Sequence, residues 1–264
     1  MKALILSGYG INCEEETFNA FNMVGVKATI VHINDLIENP KKLKSFQILA
    51  LPGGFSYGDH TGSGNAMAHK IKNNIFQNIV DFTEEDKLVI GICNGCQILI
   101  NLGIVPASEG YKREIALVEN DIPTYQCRWV NIKVINQKSP WLKKIKELYL
   151  PVAHQEGKFI AEKKVVKSLI KKKLISCKYV KNNGLLANKQ FPYNPNGSVE
   201  DIAAITNLKG NVLAIMPHPE RAFYNIQRPD WIIHKSKSND KSIDNRELFA
   251  DGYKIFKNAY NYFK

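Results

Sequence analysis

The stretch that most constrains this chain runs from Leu88 to Leu102. Its first part, Leu88-Val89-Ile90-Gly91-Ile92, is a short apolar run of the kind that forms a strand buried on both faces. Its last part, Gln97-Ile98-Leu99-Ile100-Asn101-Leu102, has helical character. Between them, Cys93 is flanked two residues away on each side by Gly91 and Gly95. Gly-x-Cys-x-Gly at a strand-to-helix turn is the thiol counterpart of the Gly-x-Ser-x-Gly nucleophile elbow. The glycines let strand and helix approach while the turn pushes the nucleophile out at the end of the sheet. The helix that follows aims its free N–H groups and positive end at the sulfur, which favours a thiolate and can hold an oxyanion. The bland alternative is one more small buried residue, as unpaired cysteines often are.

The chain around this turn alternates apolar strands with amphipathic helices. Lys2 to Ser7 reads as a first strand, Glu14 to Val24 as a helix ending before Gly25, and Val26 to Ile33 as a second strand. Phe46 to Leu51 is a third, running into Pro52-Gly53-Gly54. Ala66, Met67, Ile71, Ile75, Ile79 and Phe82 recur every three or four residues and predict one long helix. Such alternation argues a doubly wound parallel sheet, with the site beyond the carboxyl ends of the strands. The loops after Leu51 and Ile92 should therefore open on the same side.

The second half is richer in strands. Glu114–Val118, Cys127–Ile135, Leu148–Val152, Leu174–Val180, Ile202–Thr206 and Val212–Met216 are candidates. In the second of these, Val130, Ile132 and Val134 alternate with Trp129, Asn131, Lys133 and Ile135, so one face is half exposed. Ala161 to Leu174 reads as a lysine-rich surface helix. The expected fold is α/β: one domain over 1–264, an open, mainly parallel sheet flanked by helices, with an antiparallel strand extension. Residues 222–264 form a C-terminal loop, polar from Lys235 to Ser242, and a closing helix from about Arg246 onward.

Bulk properties narrow the class. No apolar run approaches the roughly 20 residues that span a bilayer. Met1 to Ser7 reads as a first strand and not a targeting segment, which leads to the expectation of a cytoplasmic protein without membrane partners. Five cysteines suit neither a disulfide scaffold nor a zinc spacing, and Cys13, Cys127 and Cys177 are expected to be structural. The net charge of +11 is mostly lysine and comes with no nucleic-acid-binding motif, so no nucleic-acid partner is expected.

A nucleophilic cysteine needs a base, and the base an orienter. Four of the six histidines, His32, His60, His69 and His234, lack distinctive surroundings. His218 follows the strand Val212 to Met216 within Pro217-His218-Pro219-Glu220-Arg221. The prolines restrain its backbone, and Glu220, two residues on, can hold its tautomer. Pro52-Gly53-Gly54 at a strand end offers backbone N–H groups without side-chain cover, as an oxyanion site requires.

Pro-Gly-Gly, then Gly-x-Cys-x-Gly-x-Gln, then His-Pro-Glu resembles the class I glutamine amidotransferases with a Cys-His-Glu triad, whose sheet is flavodoxin-like. Four segments together are similar to the glutaminase subunits of phosphoribosylformylglycinamidine synthase, of purine biosynthesis. They are Gly53-Gly54-Phe55-Ser56-Tyr57-Gly58-Asp59, Gly91 to Gln97, Asn194-Pro195-Asn196-Gly197-Ser198 and Pro217 to Arg221. The resemblance implies that Cys93 attacks the side-chain amide of glutamine, His218 moves protons and Glu220 orients it. It implies Gly54 and Asn94 as oxyanion donors, Gly53 shaping their loop, and Gln97 at the amino-acid end of glutamine. Ammonia would pass to a synthetase subunit, with a small effector subunit alongside in keeping with the family. ATP and magnesium belong to that partner, so no cofactor and no metal is expected here. His154, in His154-Gln155-Glu156-Gly157, is a secondary candidate base or a pocket-shaping residue. Cys96 and a C-terminal stretch longer than in compact members depart from the common pattern.

Two rivals differ in class. Cys93-Asn94-Gly95-Cys96 is also a Cys-x-x-Cys, so a thiol oxidoreductase is one. A binding subunit that keeps the fold without catalysis is the other. A third possibility is an amidotransferase serving a different acceptor.

Overall fold

The computed structural model describes residues 1–232 and 248–264. A nine-stranded sheet runs in the order β2-β1-β3-β4-β11-β10-β9-β6-β7. Its first half contains β1 (Lys2–Ser7), β2 (Lys27–His32), β3 (Ile48–Leu51), β4 (Leu88–Ile92) and β11 (Val212–Ile215). These five strands pair in parallel. Continuous apolar sequence accounts for this, because β3, β4 and β11 are buried at every position. The remaining strands, β10 (Ile202–Thr206), β9 (Ile175–Val180), β6 (Gln126–Val134) and β7 (Glu147–His154), extend the sheet antiparallel from β11. Val130 and Ile132 of β6 are buried while Lys133 is exposed, matching the alternation in the sequence. The sheet is thus mixed, with four parallel and four antiparallel pairings where a mainly parallel one was expected, and the antiparallel extension is as expected. A separate ribbon pairs β5 (Ala116–Val118) with β8 (Lys158–Ile160), and β8 is too short to leave a sequence signal.

Helix α1 (Glu14–Met23) carries Glu14, Glu15 and Glu16 in its first turn, where the helix dipole favours anions. The short α2 (Ile33–Glu38) follows β2, and His32 caps it by accepting from the Asn34 N–H. The long helix expected from Ala66 to Phe82 is two helices, α3 (Asn65–Asn74) and α4 (Phe76–Glu84). The break falls at Ile75, whose φ of −135° is not helical. Asn74 supplies a reason: its side chain donates to the Lys70 carbonyl at 2.7 Å, drawing a helical acceptor away from the regular ladder. Ile71, Ile75 and Ile79 stay buried across the break, so the apolar period survives while the helix does not.

Helix α5 (Asn94–Asn101) follows β4, and its residues from Asn94 to Ile100 are buried. Helix α6 (Lys163–Lys171) is the lysine-rich surface helix, burying Val166 and Leu169. Of the closing helix expected from about Arg246, α7 spans Asp251–Tyr262, and Arg246 itself lies outside the described residues. Helix α7 buries Ile255, Phe256 and Ala259, and Phe256 meets Phe21 of α1 edge-on at 5.0 Å between centroids. Burying a side chain such as Phe256 contributes roughly 1.5–3 kcal/mol. The polar run Lys235–Ser242 and His234 lie outside the described residues.

Candidate active site

The loops after β3, β4 and β11 meet at one end of the sheet. β4 and β11 are adjacent and parallel, so Cys93 and His218 emerge side by side. Cys93 has φ 51° and ψ −106°, a positive-φ conformation costly for a residue with a Cβ. It is held there by the Cys93 N–H donating to the Ile215 carbonyl at 2.8 Å. The flanking glycines are required by contact. A Cβ on Gly91 would lie 2.5 Å from the Gly95 carbonyl oxygen, and one on Gly95 would lie 2.6 Å from the Leu51 carbonyl carbon. Strand β4, helix α5 and the end of β3 therefore close on each other only because those side chains are missing.

His218 and Glu220 are buried, at 1% and 2% exposure. Their Nδ1···Oε1 distance is 2.5 Å, a short charge-assisted contact that fixes Nδ1 toward the carboxylate and turns Nε2 the other way. The His218 N–H donates to Pro151 O at 2.8 Å, tying the turn to β7. Burial alone would lower the imidazole's proton affinity. The Glu220 carboxylate and the facing thiols of Cys93 and Cys13 overcome it, holding His218 well above its ordinary 6.5. Nε2 makes no conventional hydrogen bond among the described residues, so it is free to act on what enters beside the sulfur.

The Pro52-Gly53-Gly54 loop forms the adjoining wall. A Cβ on Gly53 would sit 2.7 Å from His218 Cε1 and 3.4 Å from Cys93 Cβ, so this glycine is the floor between Cys93 and the imidazole. The loop is locked to residues 9–13: Phe55 N–H donates to Gly10 O at 2.7 Å, and the Asn12 and Cys13 N–H groups share Gly53 O at 3.2 Å. No hydrogen bond within the chain uses the N–H of Gly54 or Asn94 among the described residues. The Asn94 side chain is a bracket instead. Its Oδ1 accepts from the Ser56 N–H at 3.2 Å, and its Nδ2 donates to Asp59 Oδ1 at 3.1 Å and to Gln97 Oε1 at 2.9 Å.

Gln97 is used at both ends, for its Nε2 donates to the Glu156 carbonyl at 2.6 Å. It thereby braces the His154–Gly157 segment. Burial, with a smaller effect from His218, pushes His154 down to about 3, so it has little means to hold a proton near neutrality. Its ring packs under Gly157, and Asn196 Nδ2 lies 3.4 Å from its Nε2. The buried Asn194-to-Ser198 motif holds this wall from behind, Asn196 donating to Gly157 O at 2.8 Å. Asn194 Oδ1 accepts from the Gly197 N–H at 2.9 Å.

Two features were not foreseen. Cys13, expected to be merely structural, is part of the site: Arg221 Nη2 donates to its sulfur at 2.9 Å. One donor atom each from Cys13, His218 and Glu220 lies within 4.8 Å of the others, in a chain with no zinc-like spacing. Burial raises the Cys13 thiol, partly offset by the neighbouring His218 imidazole. The available signal was position, since Cys13 follows the carboxyl end of β1. Asp59 is the second. It accepts from the Gly64 N–H at 3.0 Å as well as from Asn94, and burial raises its carboxyl above the ordinary range.

An elbow thiol, an imidazole on a carboxylate and a glycine-walled loop define a glutamine amidotransferase, and residues 1–263 match the CobB/CobQ-like glutamine amidotransferase domain. The chain is 45% identical to the phosphoribosylformylglycinamidine synthase subunit PurQ of Methanococcus maripaludis, over 99% of this chain and 97% of that one. It is 39% identical to the PurQ subunit of Dehalococcoides mccartyi, over 98% and 96% of the two chains. A chain in the structure of PurLQS from Thermotoga maritima superposes with a TM-score of 0.70 at 29% identity, covering 100% of this chain and 99% of that one. The chain belongs to the PurQ family of class I glutamine amidotransferases. The C-terminal stretch that looked long is shared, since these relatives match over nearly their whole length. No helix among the described residues is long and apolar enough to cross a membrane.

Proposed function

We propose that this chain is the glutaminase subunit of a phosphoribosylformylglycinamidine synthase, with Cys93, His218 and Glu220 as its catalytic residues. The observation that carries the residue assignment is the unpartnered His218 Nε2, turned toward the Cys93 side by the 2.5 Å contact of Nδ1 with Glu220. His218 takes the thiol proton, and the sulfur adds to the side-chain carbonyl of glutamine. The N–H groups of Gly54 and Asn94 receive the oxyanion, each such donor contributing about 10²–10³ in rate. His218 then gives the proton to the departing nitrogen, releasing ammonia and leaving a glutamyl thioester. Water, deprotonated by the now neutral imidazole, releases glutamate. Gly53 keeps the floor open, and Gln97 acts on the pocket through its strut to Glu156.

The ammonia goes to a synthetase subunit, where ATP and magnesium drive amidine formation on formylglycinamide ribonucleotide, with a small third subunit in the complex. The likeness to the PurLQS chain and to the PurQ relatives supports this pairing. We place the reaction in the cytoplasm, in keeping with five unpaired cysteines and the absence of a spanning helix among the described residues.

The test is glutamate release from glutamine, by the chain alone and with a synthetase subunit, formylglycinamide ribonucleotide and ATP. Release should require Cys93, vanish in Cys93→Ala, and rise sharply with the partner. Amidine formation that proceeds with ammonia but never with glutamine would overturn the pairing.

A further inference from the structure

Arg221 directly follows Glu220 in the chain, yet the two form no ion pair among the described residues. A guanidinium and a carboxylate are matched for a forked pair of charge-assisted hydrogen bonds. Arg221 Nη2 instead donates to the Cys13 sulfur at 2.9 Å, and a thiol is a weak acceptor. A stronger one stands close by. Glu220 Oε2 is buried and has no hydrogen-bond partner among the described residues. The sulfur that holds the guanidinium lies within 4.8 Å of a Glu220 carboxylate oxygen, so a rotation of the arginine side chain carries it from one to the other.

The sulfur is a fixed post. Cys13 is fully buried, its N–H donates to Gly53 O at 3.2 Å, and its carbonyl accepts from the Thr17 N–H at 3.1 Å and the Thr17 hydroxyl at 2.7 Å. Its thiol donates to Asn12 Oδ1 at 3.2 Å, which leaves the sulfur lone pairs for Arg221. Burial keeps the thiol protonated, so it ties the guanidinium down without cancelling its charge.

We propose that Cys13 is a positioning residue, whose sulfur holds the Arg221 guanidinium off the Glu220 carboxylate so that this carboxylate acts undivided on His218. Without the sulfur, Arg221 turns to Oε2, shares the negative charge and draws it from the imidazole. Cys93 of the elbow, Tyr125 just before β6 and His154 of β7 also face His218, and none of them is a cation able to compete for Glu220. The consequence for rate rests on the glutaminase reading above; the consequence for the imidazole does not.

The test reads the two separately. The first readout is the titration of the His218 ring, followed by nuclear magnetic resonance in the full chain labelled at histidine. In Cys13→Ala the midpoint should fall by about one unit or more, and adding Arg221→Gln should bring it back, because the competing cation is gone. Cys13→Val is nearer the thiol in volume and equally unable to accept, so it should repeat the fall and the outcome does not hang on one variant folding. Cys13→Ser still offers an acceptor and should hold the midpoint of the parent. The second readout is glutamate release. In Cys13→Ala kcat should drop roughly tenfold or more with KM within about twofold, and should recover on adding Arg221→Gln. A midpoint unmoved by both Cys13→Ala and Cys13→Val overturns the inference. So does a loss that persists when Arg221→Gln is added, since Cys13 is then a packing residue only. Midpoints that move as expected in a chain that releases no glutamate, even with a synthetase subunit present, overturn the glutaminase reading and uphold the positioning.

Discussion

Gly95→Ala tests the elbow most directly, because the contact it creates is between backbones. The added Cβ would lie 2.6 Å from the Leu51 carbonyl carbon, where ordinary contact begins at 3.4 Å. The Leu51 carbonyl oxygen is nearer still, so strand β3 and the first turn of α5 must part by more than about 0.8 Å, and neither has a flexible end that can yield. Leu51 leads directly into Gly53 and Gly54, and Gly95 stands two residues after Cys93. The strain thus moves Cys93, the proposed nucleophile, relative to the Gly53–Gly54 loop proposed to receive the oxyanion. Overpacking of this kind costs about 1–3 kcal/mol. At about 2–4 °C per kcal/mol for a chain somewhat under this size, the melting temperature should fall by a few degrees to about 10 °C. A misplacement near 1 Å costs about 10²-fold in rate. Glutamate release measured well below the melting point should show kcat down by about that factor in a folded protein. A variant within twofold of the parent kcat at an unchanged melting temperature would refute the argument.

Other outcomes follow from the same geometry. Cys96→Ala should keep glutaminase activity within a few-fold, at about 1 kcal/mol of stability for the lost sulfur, whereas Cys93→Ala abolishes it; the reverse would revive dithiol exchange. Because His218 is held well above 6.5, its contribution to stability is complete below about 6.5 and is lost as pH climbs through the raised value. In Glu220→Gln, burial wins and the imidazole falls below 6.5, so stability should be lost on the acid side instead. Melts from about pH 5 to about pH 9 read that reversal, and kcat should drop by about 10²–10⁴. Gly252 of α7 rests on the triad turn, where a Cβ would meet the Ala222 carbonyl oxygen at 2.7 Å and the Pro219 carbonyl carbon at 2.8 Å. Gly252→Val should therefore lower kcat more than KM while the chain still folds, and equal loss in both would count against it.

The buried strands were legible because β3, β4 and β11 are apolar at every position, and the elbow because its two glycines bracket a thiol. His218 and Glu220 were legible from their spacing beyond a strand. The break at Ile75 was not, since the apolar period runs through it unchanged and the side-chain bond of Asn74 competes locally. Cys13 was missed because its partners, His218 and Arg221, lie at the other end of the chain, and only the sheet order brings β1, β3, β4 and β11 together. Gln97 was identified by position, but its occupation at both ends depends on a loop that no local pattern joins to it.

The placement of β11 between β4 and β10 has a consequence for how the chain is made. The elbow strand is synthesised long before the strand that fills the seam beside it. Until residues 212–215 leave the ribosome, β4 presents an open, wholly apolar edge, the kind that invites pairing with another chain. Over the same interval Cys93 lacks His218, its proposed base, so on the proposed mechanism a nascent or truncated chain should not hydrolyse glutamine. The last strand of the sheet to be synthesised thus closes the aggregation hazard and leads His218 to the side of Cys93 in one event. A chain stopped at Gly210 should be recovered as aggregate with no glutaminase activity, and a soluble, active fragment of that length would contradict this order of assembly.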